Sequence, residues 1–310
     1  MVKILVFDTE TTGIPPNIPG SNWDERQQFD ASLLKPEHLE TSWSQVLHDW
    51  PSILQLSYIL YDTEDPENAK IFNKYIDIPD NIVISEGSLA IHHITREKIQ
   101  SAPNKATIDE ALKEFIDDTK LAELVIGHNV QFDRKMVVAE LLRIPNQEGM
   151  TQINDMMNEP NFECTMNGTT QICNLKYKQN YVDKKTGEPK FFYKIKSPKL
   201  SEAYKHFFGY EPTGEALHDA LVDVVVCLRV FCKYKYQMDI CGENTMITDY
   251  IMAISPEGYT CPDEISLTKG SKRSKSKKTN SNKSTTSNKS SKSKKPKKSK
   301  KTKTKSKANK

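Results

Sequence analysis

The stretch Lys3–Gly13, KILVFDTETTG, decides the fold. Ile4 to Phe7 form a continuous run of apolar β-formers, as in a central strand covered on both faces. The run then meets Asp8 and, two positions on, Glu10. Side chains alternate along a strand, so the two carboxylates share a face at its C-terminal end. Open α/β sheets place their ligand crevice at such ends. Two ionised carboxylates side by side repel each other, and a divalent cation that prefers oxygen ligands is the usual remedy. A solvated acidic turn has the same sequence pattern, so the rest of the chain must decide.

Working outward, SILQLSYILYD (52–62) and IFNKYIDI (71–78) read as two strands, a hairpin joined through TEDPEN. Thr107 to Asp118 is an amphipathic helix with Ile108, Ala111, Leu112, Phe115 and Ile116 on one stripe and a Thr107/Glu110 capping box. A short strand, ELVIG (123–127), follows, and Asn129 starts a further helix with Val137, Leu141 and Leu142 as its stripe. The last clear helix runs from about Asp219 to Tyr236. Strands first, then α, β, α, an inserted hairpin and α suggest a three-layer α/β sheet of mixed direction.

Two more carboxylates stand at element ends. In VIGHNVQFD (125–133), Asp133 falls near the positive end of a helix dipole. In LHDALVDVVVCLRVF (217–231), Asp219 and Asp223 are four apart on one helix face. His218 reaches the same site as Asp223 only if it sits just before the helix. Asp219 is then an N-cap or a first-turn carboxylate.

FDTETTG, GHNVQFD and HDALVD, in this order, resemble the three motifs of the DEDD superfamily of 3′→5′ exonucleases in its DEDDh form, from about Val2 to Lys235. WPSILQLSYIL resembles the second strand of that family, and KLSEAYKHFFG the helix before the third motif. IHHIT resembles a segment in which His93 replaces the usual Gly.

The resemblance implies a ribonuclease-H-like three-layer fold, with a mixed five-stranded sheet flanked by helices. It implies an exonuclease domain over residues 1–240 with insertions at about 14–50 and 172–199. A C-terminal extension, 241–268, is expected to pack on it. It further implies that Asp8, Glu10, Asp133 and Asp223 hold two Mg²⁺ or Mn²⁺ ions. Asp8 would bridge them, Glu10 and Asp223 would hold the nucleophile-side ion, and Asp133 would act on the other, partly through water. His218, whose ordinary pKa is near ~6.5, would be the general base. Thr11, Ile14, Ile91, His92 and Asn129 would contact the 3′-terminal nucleotide. The product would be a nucleoside 5′-monophosphate, and FDTETTG resembles the DNA-directed branch more than the RNA-directed one. RNA is the alternative substrate, and a catalytically idle nucleic-acid-binding module the alternative class.

Charge is unevenly spread. Residues 269–310 hold 19 Lys and Arg and no acid, whereas residues 1–268 hold 25 basic against 41 acidic residues, a net of −16. The tail is too polar to bury a core and reads as disordered. It offers non-specific phosphate attraction or, in KKPKKSKK, an import signal. The 172–199 insertion carries eight Lys interleaved with Tyr177, Tyr181, Phe191, Phe192 and Tyr193, turning at DKKTGE. Either those rings pack on the core or they stack on single-stranded bases. Six scattered cysteines read as reduced thiols. Without an ~18-residue apolar run or a signal peptide, the expectation is an intracellular protein, cytoplasmic or nuclear, with no membrane contact. No polymerase partner can be assigned.

Overall fold

The computed structural model describes residues 2–15, 50–144, 161–213 and 219–262. These lie in the first of two units, Met1–Asp263 and Glu264–Lys310. Most of the 14–50 insertion, the basic tail and His218 lie outside the described residues.

The sheet is built from β1 (Lys3–Thr11), β2 (Ile53–Asp62), β3 (Lys70–Ile76), β4 (Lys105–Ala106), β5 (Leu124–Gly127) and β6 (Phe162–Cys164). Their spatial order is β4-β3-β2-β1-β5-β6, and β2 alone runs against its neighbours. A five-stranded sheet was expected and six strands are present. The two edge strands β4 and β6 span two and three residues, too short to leave an alternating pattern in sequence. The helices are α1 (Glu86–His92), α2 (Arg96–Ser101), α3 (Ile108–Thr119), α4 (Gln131–Arg143), α5 (Thr165–Cys173), α6 (Leu200–Phe208), α7 (Ala220–Tyr236) and α8 (Thr245–Ala253). The arrangement is ribonuclease-H-like. No described helix is long and apolar enough to cross a membrane.

Period-2 alternation splits β1 between two cores. Leu5 and Phe7 face α3 and α4, where Phe7 meets Phe115 at 5.0 Å and Tyr58 stacks on Phe72 at 4.5 Å. Burying each such ring contributes about 1.5–3 kcal/mol. Ile4 and Val6 face α7, against Leu221, Val224, Leu228 and Phe231. The same second face then changes character at one level on three strands. Register pairs Val6 with Ile59 and Ile59 with Ile71, all apolar; then Asp8–Ser57–Asn73 and Glu10–Gln55–Tyr75, all polar. One half of this face is therefore core and the other half is a polar floor.

Helix ends follow their local chemistry. Thr107 and Glu110 form the capping box of α3. Asp219 caps α7, accepting from Leu221 N–H at 3.0 Å. The helix expected from Asn129 begins two residues later, because Asn129 takes a left-handed conformation (φ 63°) and its carbonyl accepts from Phe132 N–H. Asn adopts that region more easily than most residues. The thiol expectation is corrected at one pair: Cys241 and Cys261 form a disulfide, with Cα atoms 5.4 Å apart.

The inserted hairpin forms a separate two-stranded sheet of β7 (Lys176–Val182) and β8 (Pro189–Ile195), turning at Asp183–Glu188. It leaves the body through one backbone pair, Lys196 N–H to Leu175 O at 2.9 Å.

Candidate active site

The four predicted carboxylates come from three element ends. Asp8 and Glu10 extend the apolar row Ile4–Val6 on the α7 side of β1. Asp223 lies in the first turn of α7, so the helix that covers Ile4 and Val6 with its apolar turns offers a carboxylate where β1 turns acidic. The three groups each present an oxygen within 4.8 Å of the others, and all are partly buried. Asp133 arrives from the other face of the sheet, in the first turn of α4. Asp133 is buried, and its Oδ1 accepts from Thr9 N–H at 3.0 Å and Thr9 Oγ1–H at 2.8 Å. Gly127 makes this approach possible. A Cβ there would stand 3.0 Å from Val130 and 3.2 Å from the Phe7 carbonyl.

An exonuclease family model, RNase T, matches residues 5–231, a span that holds all three motifs. The chain belongs to that family, within the DEDD superfamily. It is also similar to solved structures of E. coli Exonuclease I. The one in complex with a 5cy-dT13 oligonucleotide is 16% identical with TM-score 0.45, over 81% of this chain and 43% of that one. The dT13 complex is 14% identical with TM-score 0.46, over 82% and 46%. The zinc-bound form with single-stranded DNA is 15% identical with TM-score 0.44, over 81% and 43%. This chain therefore spans less than half the length of those enzymes. No curated protein sequence matches it significantly.

In this RNase T-family domain the carboxylates are held where they repel. Burial first, then Asp133, Asp223 and Glu10, pushes Asp8 well above the ordinary carboxylate range. Burial, then Asp223, Asp133 and Asp219, push Glu10 up to about 8, and Lys98 opposes them more weakly than any of these raises it. Burial raises Asp133 to about 7 against the Thr9 hydrogen bonds, and Asp223 to about 7 with help from Asp219. Among the described residues no lysine or arginine pairs with Asp8, Glu10 or Asp223. Converging hard oxygen donors without a side-chain cation fit a divalent metal ion.

The RNase T-family site also rests on residues that the motifs did not reveal. Gln55, fully buried, accepts from Ala220 N–H at 3.3 Å and donates to Asp219 at 3.2 Å and to Asn73 at 2.9 Å. It fixes the start of α7, and hence Asp223, to the sheet. Tyr75 O–H reaches Asp219 at 3.4 Å, and Lys98 lies 5.4 Å from the Tyr75 ring centre. The sequence signal for Gln55 is one polar residue inside the otherwise apolar run ILQL.

The residues expected at the terminal nucleotide divide in two. Ile14, Ile91 and Asn129 are exposed. Thr11 and His92 are buried and serve the chain itself. Thr11 Oγ1–H donates to Gly13 O at 2.7 Å, and His92 accepts Ile94 N–H on Nδ1 at 3.0 Å. Its Nε2–H therefore faces Thr11 O, at 3.1 Å, and ties α1 to the exit of β1. The histidine of the second motif, His128, is lowered to about 4 by burial and bridges Thr165 and the Pro198 carbonyl.

Proposed function

We propose that the chain is a divalent-metal-dependent 3′→5′ exonuclease. It hydrolyses the terminal phosphodiester of a nucleic-acid strand and releases nucleoside 5′-monophosphates. Single-stranded or frayed DNA ends are favoured over RNA because of the character of FDTETTG. The observation that carries the reading is the convergence of Asp8, Glu10 and Asp223 within 4.8 Å, next to Asp133.

Asp8, Glu10 and Asp223 would hold one Mg²⁺ or Mn²⁺, with Asp133 and Asp8 completing a second position. When bound, such ions make water a nucleophile at neutral pH and offset the charge that builds on the leaving oxygen. The chain supplies the geometry. Thr9 orients Asp133, Gln55 fixes the helix that carries Asp223, and the rigid strand holds Asp8 and Glu10 side by side. His218, directly before the Asp219 cap, acts as the base, its ordinary pKa near ~6.5 suiting proton acceptance at neutral pH. Exposed Ile14 and Ile91 offer apolar surface to the terminal base, and Asn129 a carboxamide.

The test uses 5′-labelled DNA and RNA oligonucleotides with Mg²⁺ or Mn²⁺, with EDTA and Asp8→Ala as controls. A ladder shortening from the 3′ end, absent in both controls, is the expected result, with DNA cut faster than RNA. Binding without a ladder would sink the reading in favour of an idle binding module. Faster RNA cutting would reverse the substrate assignment.

A further inference from the structure

The β7–β8 hairpin takes no part in the carboxylate cluster. Every residue of β7 and all but the last of β8 are exposed, so these strands bury no core. Yet they carry five aromatic rings and four lysines and no acid. Phe191 is 54% and Tyr193 64% exposed, which rules out packing on the body. Contiguous exposed apolar surface of this kind marks a contact site.

The register sorts the side chains by face. Lys176, Lys178, Phe191 and Tyr193 share one face. There the Lys178 ammonium sits 4.1 Å from the Phe191 ring centre, and Phe191 meets Tyr193 edge-on at 5.9 Å. Among the described residues neither Lys176 nor Lys178 has a carboxylate partner, whereas Lys190, on the other face, is held by Asp183. Residues 1–268 are net acidic, so a polyanion finds little purchase elsewhere on the body. The hairpin's root is also placed well. Beyond β8 the chain reaches Pro198, whose carbonyl accepts from His128 at 3.1 Å, next to Asn129 and in the loop that leads to Asp133.

We propose that the face bearing Lys176, Lys178, Phe191 and Tyr193 is a track for single-stranded nucleic acid. Phosphates pass the two lysines and bases stack on the two rings. A seven-residue strand rises about 20 Å, room for a few nucleotides. That the track feeds a strand end to the carboxylates rests on the nuclease reading; the binding itself does not. DNA and RNA share this chemistry, since every base has a π-face.

The test is binding by the full chain in EDTA, followed by fluorescence anisotropy with labelled oligo-dT and oligo-rU of about 30 nucleotides. Because both rings are exposed, Phe191→Ser with Tyr193→Ser should keep the thermal midpoint. It should weaken single-strand binding about tenfold or more, and duplex binding less. Lys176→Ala with Lys178→Ala should reduce the slope of log affinity against log salt by about one per lysine. The ratio of dT to rU affinities tells which strand the track prefers. Unchanged affinity for both oligonucleotides in both folded variants would overturn the proposal and make the face a protein contact or an idle surface. A chain that cuts nothing yet loses affinity in these variants would sink the nuclease reading alone. Metal-dependent cutting with variant-independent affinity would sink the track alone.

Discussion

Thr9 separates positioning from ligation at the scale of one hydroxyl. Its Oγ1 and its N–H both hold Asp133 Oδ1, and both oppose the rise that burial imposes on that carboxyl. Thr9→Val keeps the shape and the N–H and removes one donor. Groups that orient metal ligands typically carry 10–100-fold in metal affinity or activity. We therefore expect the Mn²⁺ concentration for half-maximal activity to rise by about that factor, with Thr9→Ser restoring it. An unchanged metal titration would show that the hydroxyl is dispensable. Thr9 itself was invisible among the sequence motifs because it lies on the opposite face of β1 from the carboxylates, inside a motif whose acids drew the reading.

At the scale of elements, the site depends on where α7 begins. Gln55→Leu preserves volume but strands the Ala220 N–H and takes one donor each from the Asp219 and Asn73 side-chain oxygens, which keep Tyr75 O–H and Ser57 O–H. A buried polar group left without its partner costs about 1–3 kcal/mol. Hydrogen exchange should quicken at Leu221–Asp223 and stay slow in β1 and β2; uniform quickening would point to global loss instead. The elements themselves were legible to different degrees, for physical reasons. β1 and β2 could be read because strands covered on both faces carry near-continuous apolar runs, here Ile4–Phe7 and most of Ile53–Tyr61. α3 could be read because its stripe and capping box agree. β4 and β6 escaped because two or three residues set no period, and α5 because its buried positions include Thr165 and Thr169, which look polar in sequence. The Asp8–Glu10 pair was legible as a candidate site only together with the motifs that carry Asp133 and Asp223, because an acidic turn has the same pattern, whereas Gln55 needed the register that sets it beside Glu10.

Across the whole molecule, the carboxylate cluster sets the response to pH. Glu10, pushed up to about 8, and Asp133 and Asp223, to about 7, bind protons more tightly folded than unfolded. Between the unfolded carboxylate range near ~4 and the folded values, the folded chain holds more protons, so stability falls as pH rises. In EDTA the thermal midpoint should be lower at pH 8 than at pH 5. Adding Mn²⁺ should raise it at pH 8 and do little at pH 5, where protons already neutralise the cluster. A midpoint that rises with pH in EDTA would contradict this. A second device holds the C-terminal segment. Buried Arg229 pairs with Asp239 at 2.8 and 2.9 Å and donates to Tyr204, to Tyr210 at 3.0 Å and to Tyr259 at 2.5 Å. Arg229→Met leaves Asp239 without its cation and should cost about 3–5 kcal/mol in urea unfolding. A loss below about 1 kcal/mol would place the pair with ordinary surface bridges.

The hairpin enters and leaves the body through the single pairing of Leu175 with Lys196. Such a joint makes it an exchangeable module. It can lengthen, shrink or be swapped between relatives while the sheet, its two cores and the four acids stay as they are. Divergence in the hairpin can therefore proceed independently of divergence in the acid cluster, and a graft of β7–β8 onto another member of the family must match those two ends, the Lys196–Glu202 pair and the Pro198 carbonyl that accepts from His128.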